Sequence, residues 1–141
     1  MVMNTESNST NSPGEGKKRV GVILCVCTGD CPGFSKMRIW DFVNQVRLAL
    51  PVEWVVVHPQ LCEEDGDRFL EEYLNPESAL HYLIAGCSKN MQRKMFGPAF
   101  EAKGMDFGEL VLSLDVREMT TDEAFELVEK ALEDWEVVGD E

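Results

Sequence analysis

The chain carries five cysteines, and each group of them follows an apolar run that has the composition of a β-strand. Cys25, Cys27 and Cys31 are close together, whereas Cys62 and Cys87 each stand alone. Several thiols in one place can bind an iron-sulfur cluster or a zinc ion, and two of them can form a redox pair. Which use applies depends on the elements that bring the thiols together.

Four short apolar runs predict β-strands. The runs are rich in Val, Ile and Leu and do not alternate strictly with polar residues, which is typical of strands covered on both faces in a parallel sheet. The predicted strands cover residues 20–25, 52–57, 79–85 and 110–114. The cysteines therefore lie at or just beyond strand ends.

Segments with helical periodicity follow each of these runs. Met91 and Met95 lie one turn apart in the third segment, a spacing that predicts core positions, and Gly104 is predicted to end that helix. Thr120 and Glu123 form a capping box that predicts the start of the fourth helix. The helices are predicted over roughly residues 39–50, 69–74, 89–103 and 120–135. The three tryptophans are predicted to be core or interface anchors: Trp40, Trp54 and Trp135.

This alternation of strands and helices predicts right-handed crossovers and an α/β fold. The predicted architecture has three layers, with a four-stranded parallel sheet and helices on both faces, of the Rossmann or flavodoxin-like kind. Loops that leave the carboxyl ends of parallel strands meet at one edge of the sheet, where ligands bind. All five cysteines are predicted to lie at that edge, so we expect one shared site.

Length and composition predict one domain with its own core, because the chain has 141 residues. That domain is predicted over residues 19–136, between a polar disordered tail (residues 1–18) and an acidic disordered end (residues 137–141). We expect no signal peptide and no membrane insertion, and hence a cytoplasmic protein. A reducing compartment disfavours disulfides and favours metal or redox roles for the thiols.

The formal net charge of −13 argues against nucleic acid and anionic membranes as partners. It suits a docking surface for a basic protein, and it also suits ordinary solubility. No Gly-x-Gly-x-x-Gly follows a strand and no Walker-type loop is present, so the sequence shows no nucleotide fingerprint. It offers no catalytic constellation either, and a non-catalytic protein is expected.

The scatter of the cysteines bears on the choice of metal. Zinc sites usually take two close pairs of cysteines, whereas Cys62 and Cys87 are each alone at a different strand end. This favours an iron-sulfur cluster, with structural zinc, a thiol redox site and inert packing as alternatives. His58 is a further candidate ligand or proton carrier, although a histidine at a strand end is more often structural. Acidic residues around the same edge predict a low reduction potential for a cluster there: Asp30, Glu63, Glu64, Asp65 and Asp67.

Four short segments of the chain resemble those of one known family. They are Cys25-Val-Cys27, Gln60-Leu-Cys62, Ala85-Gly-Cys87-Ser88 and Asp115-Val-Arg117-Glu118. With them the chain resembles the N-terminal domain of the flavoprotein subunit of heterodisulfide reductases, over roughly residues 19–118. In size and architecture it is also similar to the small delta subunit that links hydrogenases to heterodisulfide reductases.

The resemblance implies a Rossmann-like domain that carries a 4Fe-4S cluster, with a 2Fe-2S cluster or zinc as alternatives. Its implied ligands are Cys25, Cys27, Cys62 and Cys87, while Cys31 lies outside the family's pattern. It also implies an electron-carrying subunit whose redox partners are a flavoprotein, a hydrogenase subunit or a heterodisulfide-reductase-like complex. Two functions of other classes stand beside it: a zinc-binding or metal-free interaction module, and a thiol-dependent enzyme with Cys31 or Cys25 as its nucleophile.

Overall fold

The computed structural model describes residues 18–27 and 32–135 of the chain. Within these residues the strands are β1 (Val20–Cys25), β2 (Trp54–His58), β3 (His81–Gly86) and β4 (Val111–Asp115). The α-helices are α1 (Ile39–Ala49), α2 (Glu64–Tyr73), α3 (Lys89–Glu101), α4 (Phe107–Leu110) and α5 (Thr121–Asp134). A single turn of 3-10 helix, Pro32–Phe34, precedes α1.

The four strands form one parallel sheet in the order β2-β1-β3-β4. This order confirms the predicted α/β fold with a four-stranded parallel sheet. β1 lies between β2 and β3. The loops that leave these three strands are therefore neighbours at the carboxyl edge of the sheet.

Helices cover both faces of the sheet and complete the three predicted layers. On one face, α1 and α5 share a core with Val22 and Leu24 of β1. On the other face, α2 and α3 share a core with Ile23 and Cys25 of β1. Successive residues of β1 therefore enter different cores and all are buried, which explains why this strand is an unbroken apolar run.

Some element boundaries differ from the predicted ones for local reasons. The predicted third strand includes Ala79, whose φ of 62° is incompatible with a strand, and β3 begins at His81. The helix α2 begins at Glu64 because carboxylates stabilise its first turn, although they give no apolar signal. The single turn α4 was not predicted; Asp106 caps it by accepting the Gly108 N–H at 3.0 Å.

Two predicted helix ends are confirmed by their hydrogen bonds and backbone angles. Thr120 Oγ1 accepts the N–H of Glu123 at 3.2 Å, and Glu123 Oε1 accepts the N–H of Thr120 at 2.9 Å. These two bonds form the predicted capping box of α5. Gly104 has a φ of 73°, the left-handed conformation expected of a residue that follows a helix.

The buried face of α3 differs from the prediction. Met91 and Met95 were expected in the core, but they are 47% and 37% exposed, so this prediction is wrong. The core positions are taken by Gln92, Phe96 and Phe100, which follow each other at four-residue steps. Gln92 can replace an apolar residue there because its amide donates two hydrogen bonds to backbone carbonyls.

The tryptophans divide into two groups. Trp54 and Trp135 are half-buried, whereas Trp40 in the first turn of α1 is 70% exposed. The ring of Trp54 packs against Gly21 of β1, where a Cβ would overlap it. Trp40 therefore has no core role.

The predicted tails lie almost wholly in residues 1–17 and 136–141, which are outside the described residues. Lys18 is described, and its Nζ donates to the Trp135 carbonyl oxygen at 3.3 Å. In the two described stretches of chain, no helix is both long enough and apolar enough to cross a bilayer.

Candidate metal centre

Four cysteines of the described residues lie at the carboxyl edge of the sheet. Cys25 is the last residue of β1, and Cys27 follows two residues later. Cys62 lies in the loop between β2 and α2, and Cys87 directly follows β3. The fifth, Cys31, falls within residues 28–31, outside the described residues. These four cysteines therefore lie at the edge of the sheet where they were predicted.

Cys25 is the most deeply buried of these four thiols, with an exposure of 6%. Its Sγ accepts a hydrogen bond from the N–H of Leu61 at 3.2 Å. Burial raises the pKa of Cys25 to about 11; the N–H groups of Leu61 and Cys27 oppose this rise, and the Cys87 and Cys27 thiols add to it. A metal-free Cys25 therefore keeps its proton at neutral pH, which does not suit the nucleophile of a thiol enzyme.

Cys87 lies between the end of β3 and the first turn of α3. Ser88 caps this helix by accepting the N–H of Met91 at 3.2 Å. Burial raises the pKa of the Cys87 thiol, and the positive charge of Arg117 partly opposes the rise. The thiol of Cys62 and the carboxylate of Asp115 raise this pKa as well. Burial has the largest effect, so the net shift of the Cys87 pKa is upward.

The positions of the four cysteines follow from the order of the strands. They lie at or just beyond the ends of β1, β2 and β3, which are neighbours in the sheet. The thiols of Cys27 and Cys87 contribute to the raised pKa of Cys25, and the thiol of Cys62 contributes to that of Cys87. Within the described residues, no three or more His, Cys, Asp or Glu side chains are already grouped as metal ligands.

Gly86 allows β3 to end close to Cys25. A Cβ on Gly86 would lie 3.2 Å from the Cys25 carbonyl oxygen and 3.3 Å from the Cys25 Cβ. These distances are tighter than ordinary packing contacts. A larger residue in place of Gly86 would therefore push the ends of β1 and β3 apart. This would also separate Cys25 from Cys87.

Cys27 has a φ of 52°, in the left-handed region that residues with a side chain rarely adopt. Such a conformation costs roughly 1–2 kcal/mol for a residue other than glycine. Strained backbone of this kind is common where a ligand is held. Glycine would adopt this conformation with less strain. The chain has a cysteine here instead, so a thiol is present at this position.

Leu61 and Gly66 position the hydrogen-bond donor to Cys25. Leu61 is fully buried, and its N–H points at the Cys25 sulfur. The first turn of α2 packs directly on the Leu61 backbone, and a Cβ on Gly66 would overlap the Leu61 carbonyl group. Gly66 is thus required for close approach. Neither residue was recognised in the sequence, because a backbone donor has no side-chain signature.

The side chain of Gln92 connects the ends of β3 and β4 by hydrogen bonds. Its side chain is fully buried, and Nε2 donates to the carbonyl oxygens of Cys87 at 2.9 Å and Leu114 at 3.2 Å. The two carbonyl acceptors determine the orientation of the amide, and they leave Oε1 buried without a protein partner. Gln92 therefore anchors the backbone of Cys87, a role that the helical pattern alone could not indicate.

Arg117 brings a positive charge close to Cys87. Its Nη2 and Nε donate to the two carboxylate oxygens of Asp115 at 2.7 Å and 3.0 Å. These hydrogen bonds hold the pKa of Asp115 below its ordinary value. The positive charge of the same guanidinium opposes the rise that burial causes in the pKa of Cys87. The sequence singled out this segment only through its resemblance to a family.

His58 is a structural residue in this arrangement. It is 8% exposed and ends β2. Its Nδ1 accepts the N–H of Gln60 at 3.0 Å, its Nε2 lies 3.9 Å from Asp65 Oδ2, and its ring contacts Phe69. Both ring nitrogens therefore face protein groups. The hydrogen bond to Gln60 orders the start of the loop that carries Cys62.

No protein-family profile matches this sequence, and a search of curated proteins found no match to it. The case for a function therefore depends on the site itself.

Proposed function

We propose that this chain is an iron-sulfur protein that transfers single electrons, with Cys25, Cys27, Cys62 and Cys87 as the ligands of its cluster. The observation that carries the proposal is the position of these four cysteines, at or just beyond the ends of three adjacent strands on the carboxyl edge of a parallel sheet. Four thiolates are the usual ligand set of 2Fe-2S and 4Fe-4S clusters. A 4Fe-4S cluster is the proposed form, with 2Fe-2S or zinc as alternatives.

The donor set fits such a cluster in its chemistry. The sulfur atoms are soft ligands, and the Leu61 N–H already donates to one of them, as N–H groups do to the sulfurs of iron-sulfur centres. The described thiols are not already grouped as ligands, so loading the site requires rotation of cysteine side chains about χ1. Each thiol must also lose its proton, since metals bind thiolates.

Each neighbouring residue has a definite role in this proposal. Gln92 holds the Cys87 backbone, Gly66 lets Leu61 reach Cys25, and Arg117 supplies positive charge beside Cys87. When bound, the cluster would accept and release one electron at a time. The exposed carboxylates at the start of α2 follow Cys62 directly and favour a low reduction potential, which a redox titration measures.

The partners belong to the same proposal. In this proposal the cluster receives electrons from one protein and passes them to another. By resemblance, these partners are a flavoprotein, a hydrogenase subunit or a heterodisulfide-reductase-like complex. A thiol enzyme is the weaker interpretation, because the raised pKa of Cys25 is opposite to what a nucleophile needs.

Visible absorption separates the proposed cluster from zinc. The full chain, purified without oxygen, is expected to be brown, with broad sulfur-to-iron absorption that bleaches on reduction with dithionite. A zinc protein of the same thiols is colourless because Zn²⁺ has a filled d shell. A colourless protein that contains stoichiometric zinc, and that stays colourless after anaerobic incubation with iron and sulfide, would contradict the proposal.

A further inference from the structure

A surface groove runs between α1 and α5, on the sheet face opposite α2 and α3. Two open cavities make up this groove, one of about 430 Å³ and one of about 300 Å³. Ala49 lines both of them, so the cavities adjoin. The groove is separate from the cysteine site, and nothing in the proposed electron transfer requires it.

The floor of the groove presents exposed apolar side chains, with the polar residues Asp41, Asn44 and Gln45 beside them. Leu48 lines the first cavity and is 73% exposed. Trp40, which is 70% exposed, precedes Asn44 and Leu48 at four-residue steps, so it lies in the same row on α1. Large apolar side chains exposed along one row of a helix are typical of an interaction site. The other apolar residues of the groove are Ala49, Leu50, Pro51, Phe125 and Leu132.

The wall of the groove formed by α5 is acidic. This helix carries six carboxylates and one lysine. Glu129 and Glu133 line the groove directly, and Glu126 and Asp122 continue their row toward the start of the helix at helical spacing. Lys130 is paired with Asp134 at 3.8 Å. An apolar floor beside a row of carboxylates suits a partner that has apolar and cationic groups side by side.

The length of the groove suits a helix. α1 has eleven residues, which is about 16 Å at 1.5 Å per residue. About three turns of a second helix fit along that length. Helices bind in such grooves through apolar side chains that recur at i, i+3 or i+4 and i+7.

A second copy of this chain fits the groove poorly. In a two-fold dimer the same surface meets itself, so both acidic α5 helices would lie in one interface. Like charges at close range oppose that contact, and the net charge of −13 on each chain adds to the repulsion. Charge complementarity therefore points to a different protein.

We propose that the groove between α1 and α5 binds an amphipathic helix of another protein, whose apolar side chains contact Leu48, Phe125 and Trp40 and whose lysines or arginines face the carboxylates of α5. Its binding does not depend on whether the cysteines hold a cluster.

Three synthetic 18-residue peptides test this proposal on the full-length chain. The first has leucines at i, i+3, i+4 and i+7 and lysines on the flanks, the second has glutamates in place of the lysines, and the third has the composition of the first with the leucines scattered. Intrinsic tryptophan fluorescence is recorded during titration. Only the first peptide is expected to bind and to shift the emission to the blue, because the Trp40 indole leaves water. Trp40→Phe should remove that shift.

Matched variants distinguish this groove from general attraction to an acidic protein. Leu48→Ser is expected to weaken binding at least tenfold, whereas Met91→Ser, an exposed apolar residue on the opposite side of the sheet, should leave it unchanged. Glu129→Gln with Glu133→Gln should weaken binding several-fold, and this loss should diminish in high salt. Glu71→Gln with Glu72→Gln makes the same charge change on α2 and should have no effect.

Three results would overturn the proposal. One is equal binding of the peptide with scattered leucines. Another is an equal loss of affinity with the two pairs of glutamine substitutions. The third is a dimer of the chain in sedimentation analysis that Leu48→Ser dissociates, which would make a second copy the occupant.

Discussion

Replacing Cys87 with alanine is expected to abolish cluster binding, leaving less than a tenth of the iron that the unchanged chain retains. Cys87 directly follows β3, and the backbone just before it packs closely against Cys25 at the end of β1. An iron-sulfur cluster with one of its thiolates missing binds far more weakly or is lost. Iron content and visible absorption are measured after anaerobic purification of both proteins.

The control for this experiment is Cys31→Ala. Cys31 lies outside the proposed ligand set, so this variant should keep its iron. Both variants should unfold at a similar urea concentration to the unchanged apoprotein, because Cys87 is only half-buried and alanine leaves a small gap. Full iron retention in Cys87→Ala would reject the ligand set. If Cys31→Ala loses its iron and an alanine variant of one proposed ligand keeps it, Cys31 takes the place of that cysteine in the ligand set.

Replacing Gly66 with alanine is expected to lower the free energy of unfolding by about 2 kcal/mol. A Cβ at this position would overlap the Leu61 carbonyl group, and that backbone cannot move without displacing the N–H that donates to Cys25. Alanine is otherwise favoured over glycine in a helix, which offsets part of the loss. Urea denaturation of the apoprotein, followed by far-ultraviolet circular dichroism, measures the change.

Gly108→Ala is the matched control for this substitution. Gly108 also lies in the first turn of a helix, but a Cβ there would lie 3.1 Å from the end of the flexible Arg93 side chain, which can move aside. We expect a change within about 0.5 kcal/mol. In the loaded protein, Gly66→Ala should also shift the reduction potential, because the hydrogen bond to the Cys25 sulfur is disturbed. If Gly66→Ala is as stable as Gly108→Ala, α2 packs on Leu61 more loosely than the distances indicate.

The sheet was predictable because its strands carry a strong physical signal. β1 is buried on both faces, so each of its residues had to be apolar or glycine, and its predicted range coincides with the observed one. The alternation with helices then limited the topology to a parallel sheet. The start of α2 and the single turn α4 were missed, since carboxylates and an Asp cap stabilise them without apolar periodicity.

The candidate site was predictable only in part. Its position followed from the strand ends, because parallel strands bring their carboxyl ends to one edge. The donor from Leu61, the close approach at Gly66 and the anchoring by Gln92 depend on backbone geometry and on contacts between distant segments. No residue type or spacing along the chain encodes such contacts. The same holds for Met91 and Met95, whose helical spacing suits a core but whose helix is rotated to bury Gln92 instead.

The helix α1 links the groove to the edge of the sheet where the cysteines lie. It begins at the carboxyl edge of the sheet, and Trp40 lies in its first turn. A partner helix bound beside Trp40 would therefore reach the side of the molecule where the cysteines are. If both proposals hold, the partner bound in the groove is a candidate redox partner of the proposed cluster.

The most direct test of the central claim is an iron and acid-labile sulfide determination on the full-length chain purified without oxygen, with electron paramagnetic resonance of the dithionite-reduced protein. A 4Fe-4S cluster predicts about four iron and four sulfide per chain, and a reduced spectrum from one spin. About two of each would identify a 2Fe-2S cluster held by the same four cysteines. Iron without sulfide, zinc in place of iron, or neither after anaerobic reconstitution would contradict the account.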